Sequence, residues 1–218
     1  MKKLLPITIF SSMLFVTGNG IDGHAETSED LPSAESILTS AAALYDGLDG
    51  VYYEVEKETT SEHQSEELLE KQWIYDNEHG FFRHSEITED DDITFHLFTD
   101  LEDPDYIFET NDKKGDAERY ENPFPENNDL ALAGEQYEYL LENAELTFKG
   151  EEEVNGYETY HIEAAHDGIV SHYWFDQETF YEVKHSYNHP SAHYSSEVVD
   201  YELNPEFDES LFRPAKGQ

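Results

Sequence analysis

The chain contains no cysteine and few basic residues, 12 Lys plus Arg against 51 Asp plus Glu, for a formal net charge of −39. Without a thiol there is no disulfide scaffold, thiolate metal site, iron–sulfur cluster, cysteine nucleophile or lipid-modified lipobox cysteine. Charge of this sign repels a phosphate backbone and anionic headgroups, which excludes nucleic acid as a partner and disfavours docking on acidic membranes. Long hydrophobic runs are also missing. Leu4 to Val16 is mostly apolar and contains Pro6. It falls short of the roughly 20 residues a bilayer demands, and stable membrane insertion is not expected.

Preceded by Lys2 and Lys3 and followed by a polar stretch ending Gly23-His24-Ala25, that segment has the three regions of a secretory signal. Residues 1–25 are therefore expected to be a signal peptide cleaved after Ala25, the alternative being a retained membrane anchor, which the short, proline-bearing stretch disfavours. Residues 26–32 form a flexible lead, and residues 33–218 one domain. The product is expected to be secreted or held in the cell envelope.

Aromatics are plentiful, with 15 Tyr, 13 Phe and 2 Trp. Disordered chains lack them, so the acidity is read as the coat of a folded surface, suited to a saline or alkaline exterior. The acidic runs at 89–92 and 151–153 have neither the alternating ligands nor the glycine of a calcium loop, and read as solvated turns.

Two helices are expected. Ser33 opens the first, with Ile37, Leu38, Ala41, Tyr45 and Leu48 on one face and Gly47 and Gly50 at its end. The second runs from Asp129 to Asn143, with Leu130, Ala133, Tyr137 and Leu140 aligned. Elsewhere period-two alternation predicts nine to eleven strands. Val51, Tyr53 and Val55 alternate with Tyr52, Glu54 and Glu56, and similar patterns surround Trp73, Phe95 and Tyr106. Residues 59–67 and 111–128 read as polar links. Asp167-Gly168 signals a two-residue hairpin, which sets Ile162 opposite Tyr173 and Tyr160 opposite Phe175 on one face; His161, Glu163, His172 and Trp174 take the other.

The predicted order is helix, meander, helix, meander: an α+β, mainly antiparallel protein. A sheet of about ten strands can curl and be partly covered by its helices, leaving either an aromatic core or a hollow. Tyr53, Trp73, Tyr75 and Phe95 are the inward candidates from the first meander. Tyr160, Tyr173 and Phe175 come from the second, with Tyr137 from the covering helix.

Four segments of the C-terminal half carry a resemblance. They are Val154-Asn155-Gly156-Tyr157-Glu158-Thr159-Tyr160, then Tyr173-Trp174-Phe175-Asp176-Gln177-Glu178-Thr179, then Val183-Lys184, and finally Asn204-Pro205-Glu206-Phe207-Asp208-Glu209-Ser210-Leu211-Phe212. The chain resembles the Lol-type lipoprotein carrier (LolA-like) superfamily and its secreted Gram-positive relatives. The resemblance implies a half-open curved β-barrel whose concave face is covered by helices over a hydrophobic cavity. It also implies a non-enzymatic role in binding or carrying a lipid or lipoprotein acyl chain, with no catalytic residues and no cofactor.

Two alternatives stay open at this level. One is an envelope sensor or protein-interaction module of the same fold with no lipid. The other is a metal-binding protein using His161 and His172 beside Glu163. His185, His189 and His193 are spaced as on a helix, but Pro190 favours a hairpin, which separates them. No Gly-x-Ser-x-Gly elbow and no phosphate-cradling glycine loop occurs.

Overall fold

The computed structural model describes residues 31–61, 65–77, 80–89, 93–113, 116–123 and 129–213. The expected signal segment, residues 26–30 of the lead and the tip of the acidic run at 90–92 lie outside them.

Helix α1 spans Ala34–Asp46. Its N-cap is Ser33, whose hydroxyl accepts from the Ser36 amide at 3.1 Å, satisfying one of the donors a helix start leaves over. Six strands follow: β1 (Gly50–Ser61), β2 (Ser65–Asn77), β3 (Gly80–Glu89), β4 (Ile93–Thr99), β5 (Tyr106–Asn111) and β6 (Glu118–Glu121). Helix α2 (Asp129–Asn143) leads into β7 (Glu145–Val154), β8 (Tyr157–His166), β9 (Ile169–Asp176), β10 (Glu182–His189) and β11 (Ala192–Leu203). A 3-10 turn at Glu209–Phe212 closes the described chain.

All eleven strands form one antiparallel sheet, ordered β6-β5-β4-β3-β2-β1-β11-β10-β9-β8-β7. Each meander is thus laid down in chain order, and the β1–β11 pairing joins the two. The sheet is curved and does not close, which is the half-open barrel expected, with β6 and β7 as its two edges. Two segments read as links are partly strand. Residues 59–61 and 65–67 belong to a long hairpin that pairs Thr60 with Ser65, and 118–121 form the edge strand β6. Polar composition hid both, because each lies where the sheet meets water on both faces.

The Asp167-Gly168 turn holds positive φ at both positions, 50° and 79°, as a type I′ hairpin requires. The register is the expected one, Tyr160 with Phe175, His161 with Trp174 and Ile162 with Tyr173. At the next turn Asp176 Oδ1 accepts from the amides of Glu178 and Thr179 at 2.6 and 3.0 Å. His185 and His189 stand on β10 and His193 on β11, opposite Asn188, so their sequence spacing aligns nothing.

The two faces of the sheet bury different clusters. On the concave face, α1 and α2 cover β1 and the second meander. Ile37, Leu38 and Ala41 of α1 and Ile162, Phe175 and Val183 of the strands are almost wholly buried there. The helices approach closely at Gly134, where an added Cβ would stand 3.1 Å from Asp46 Oδ1. On the opposite face of β2–β4, Tyr75, Phe82 and Phe98 form a second cluster capped by Phe207 and Phe212 of the C-terminal segment. No helix among the described residues is long and apolar enough to cross a membrane.

Candidate functional site

Between α2, the end of α1 and the strands β1, β2, β10 and β11 lies an open cleft of about 250 Å³. Its walls follow from the strand registers. Val55 pairs with Val198 across β1–β11, Val51 pairs with Ile74 across β1–β2, and side chains of paired residues share a face. Val51, Val55, Ile74 and Val198 therefore make an aliphatic floor, which Leu130 and Ala133 of α2 face from above.

Aromatic and polar groups complete the lining. Tyr45 lies between the other two tyrosines, tilted against Tyr137 with ring centroids 5.5 Å apart and stacked on Tyr181 at 5.7 Å. The Tyr137 hydroxyl donates to Glu182 Oε2 at 2.7 Å. Burial among these rings pushes the Glu182 carboxyl up to about 7, although the bond from Tyr137 works in the other direction. His185 lies flat on Tyr173, centroids 4.5 Å apart. Its Nε2 is buried without a hydrogen-bond partner, and burial lowers its pKa to about 4. Near neutral pH the cleft thus presents a neutral imidazole and a carboxyl that holds its proton far more readily than an exposed one. Lys57, the cation in the wall, is tied to Glu70. Tyr53 donates to Gln72 Oε1 at 2.6 Å, which fixes its ring at the edge of the cleft.

Of the eight residues expected to line a hollow, Tyr53 and Tyr137 do line this cleft. Tyr173 and Phe175 lie beneath Tyr137, with centroid distances of 6.3 and 5.4 Å, as buried core. Tyr160 packs with Phe148 and Phe180 further along the same layer. Phe95 faces the same side of the sheet, on β4, outside the cleft. Trp73 and Tyr75 differ from the expected orientation. Tyr53 pairs with Gln72 and Tyr52 with Trp73, so the pleat turns Gln72 and Ile74 inward and Trp73 and Tyr75 to the opposite face. There Tyr75 meets Phe207 edge-on, and its hydroxyl donates to the Glu206 carbonyl at 3.3 Å.

Glu182 and His185 were missed by the pattern. A bulge lies between Glu182 and Lys184. It leaves Val183 without a place in the pairing, so Glu182 opposite Phe175 and His185 opposite Tyr173 both face the helices. Alternation read from Lys184 alone would have placed Glu182 outside with it.

On the outer face, Trp174 stacks on His161 at 4.2 Å. Glu152 Oε1 accepts from Trp174 Nε1 at 2.6 Å and lies 2.9 Å from His161 Nδ1. His161 Nε2 is 3.0 Å from His172 Nδ1. Both nitrogens of His161 are thereby engaged in a ladder of hydrogen bonds along the sheet.

The architecture is a curved, unclosed antiparallel sheet with two helices in its concavity. No protein-family model and no curated protein matches the sequence. Among solved structures, the lipoprotein LppX of Mycobacterium tuberculosis is 15% identical, over 80% of this chain and 97% of its own, with a TM-score of 0.50. MucB is similar at 9% identity over 84% of this chain, with a TM-score of 0.53. The chain spans 63% of the MucB structure's length. In the complex of Pseudomonas aeruginosa MucA and MucB the identity is 11%, over 84% of this chain and 61% of that one, with a TM-score of 0.50. At these identities the likeness is one of fold.

Proposed function

We propose that this protein is a non-enzymatic binding protein of the cell exterior or envelope, and that its cleft takes an uncharged apolar guest such as a lipid or lipoprotein acyl chain. The observation that carries this reading is the open cleft beneath α2, whose floor of Val51, Val55, Ile74 and Val198 is aliphatic and itself almost wholly buried. Each methylene that displaces water there contributes about 0.8 kcal/mol. The polar groups at the far wall select against charge. Glu182 and the surrounding field of a chain with a net charge of −39 repel a free carboxylate. A neutral ester, amide or hydroxyl can bond to Glu182 and His185. Ligand pockets usually run from roughly 300 Å³ upward, so a cleft of about 250 Å³ holds a short alkyl segment as it stands, and a longer chain requires α2 to shift.

That small volume also favours a second reading, an interaction module into which a partner protein inserts one apolar side chain. Native mass spectrometry of the purified chain, with organic extraction of bound material, separates the two. Neutral acyl lipid in the extract supports the carrier. A protein free of lipid, and unable to take up a neutral fluorescent acyl probe, overturns it in favour of the module.

A further inference from the structure

A second group of side chains lies on the opposite face of the sheet, apart from the cleft. On β3, His84 and Glu86 are two residues apart and share a face; on β4, His96 stands directly opposite Glu86. One ligand atom from each of the three lies within 4.8 Å of the other two. Glu86 Oε1 is 4.0 Å from His84 Nε2 and 3.6 Å from His96 Nδ1. Ligands bound at roughly 2.0–2.2 Å in a tetrahedron stand about 3.4 Å apart, so small side-chain rotations close this trio around one ion.

Three further facts point to a cation. His84 is 6% exposed, and neither of its ring nitrogens has a hydrogen-bond partner. An orphaned buried polar group of this kind is costly. Its ring is held by Trp73, Phe98 and Phe212, at centroid distances of 5.2, 5.6 and 6.3 Å. Next, His96 Nε2 lies 3.1 Å from Asp112 Oδ1. If that nitrogen carries the proton, the Nδ1 lone pair is turned toward the Glu86 carboxylate, an arrangement of two acceptors that a cation between them resolves. Carboxylate–histidine pairs of this form orient metal ligands and raise their basicity. Finally, one imidazole from each of two strands with one carboxylate is a donor set that suits zinc better than calcium or magnesium, which prefer oxygen alone.

We propose that His84, Glu86 and His96 form a site for a zinc-class divalent cation on the outer face of β3–β4, with Asp112 orienting His96 and the fourth position left to water. This site is separate from the His161–His172 ladder, and it does not depend on the cleft binding lipid.

The test is zinc retention by the full chain. Protein stripped with chelator is loaded with Zn²⁺ and dialysed against zinc-free buffer containing excess Ca²⁺, which occupies loose carboxylate sites. One zinc per chain should remain. His96→Ala should abolish its retention, and Asp112→Asn should weaken binding about 10- to 100-fold, while His161→Ala and His172→Ala leave it unchanged. His84→Ala removes a buried ring and endangers the fold, so Co²⁺ loading of the unmutated chain supplies a second readout. Intense visible bands of a tetrahedral ion, lost in His96→Ala, support the site. No zinc above background, retention indifferent to His96→Ala and Asp112→Asn, or only a weak octahedral cobalt spectrum overturns it.

Discussion

The Tyr137 hydroxyl donates a 2.7 Å hydrogen bond to Glu182 Oε2, tying the centre of α2 to the buried end of β10. Tyr45 and Tyr181 pack round the pair, and Lys57 stands in the wall of the same cleft. The acid is pushed up to about 7 from an ordinary 4.5. Between these two values the folded chain holds a proton that the unfolded chain has released. Stability therefore falls as pH rises from about 4.5 to 7 and levels off above. At about 1.4 kcal/mol per pH unit the loss is about 3 kcal/mol. Glu182→Gln keeps an acceptor for Tyr137 and cannot ionise, so it should be more stable than the unmutated chain at pH 8 by about 2–3 kcal/mol and nearly equal at pH 4.5. Urea denaturation of both proteins at the two pH values checks this; an equal pH-dependent loss in the variant would refute it.

His185 works in the opposite direction. Its folded pKa is about 4 against 6.5, so the stability tied to its neutral form is complete above pH 6.5 and is lost as pH falls toward 4. His185→Phe keeps the stack on Tyr173 and removes a nitrogen that has no partner. The variant should resist acid better, by about 3 kcal/mol at pH 4 relative to its difference at pH 7. Melting curves across this range would show unchanged acid sensitivity if the ring is not buried as described.

The two faces of the sheet give a paired test of the binding reading. Ala133 of α2 lines the cleft, and Ala133→Trp should fill it and abolish uptake of a neutral acyl probe while circular dichroism stays native-like. Trp73 lies on the other face against Tyr52 and His84. Trp73→Ala should cost about 2–3 kcal/mol of stability and leave probe uptake intact. Loss of uptake in Trp73→Ala with uptake retained in Ala133→Trp would place the guest elsewhere.

Much of the fold is legible in the sequence because it is written in local signals. Ser33, Gly47 and the apolar stripe bound α1. The Asp167-Gly168 turn fixes β8–β9 pairing residue by residue, and side-chain period then separates Ile162 and Tyr173 from His161 and Trp174. The site was less legible, for two physical reasons. Trp73 and Tyr75 look inward only while one face of the sheet is taken as wet, and nothing local to β2 shows that Phe207 and Phe212 return from the C-terminus to cover the other face. Glu182 is turned inward by a bulge, a slip of one residue that composition does not mark. The first depends on contacts between segments far apart in the chain, the second on a register shift inside the β9–β10 hairpin.

The C-terminal segment is accordingly expected to be structural. Phe212 is 1% exposed and packs on Tyr75, Phe82 and Phe207. Phe212→Ala should destabilise by about 3–5 kcal/mol. Amide exchange should quicken first in β2–β4, while β8–β10, on the other cluster, stay protected. A loss below about 1 kcal/mol would mean that the segment is not docked on this face.

Ionic strength should stabilise this protein. Its 51 acidic and 12 basic residues leave like charges crowded over the surface, and folding brings them closer together. Attractive pairs such as Lys71–Glu54, Lys184–Glu197 and Lys149–Glu163 are partly exposed, and pairs of this kind contribute about 0–1 kcal/mol each. Salt weakens those few attractions and the many repulsions together, so the repulsions decide the sign. The screening length shortens from about 30 Å at 0.01 M to about 10 Å at 0.1 M and 3 Å at 1 M. The urea midpoint should therefore climb steeply with NaCl at low concentration and flatten as screening saturates. Choline chloride in place of NaCl should give the same curve at equal ionic strength, because screening does not depend on the cation's identity. A midpoint indifferent to salt, or one that rises with NaCl alone, would mean that bound ions or internal contacts, and not surface repulsion, set the stability of the acidic coat.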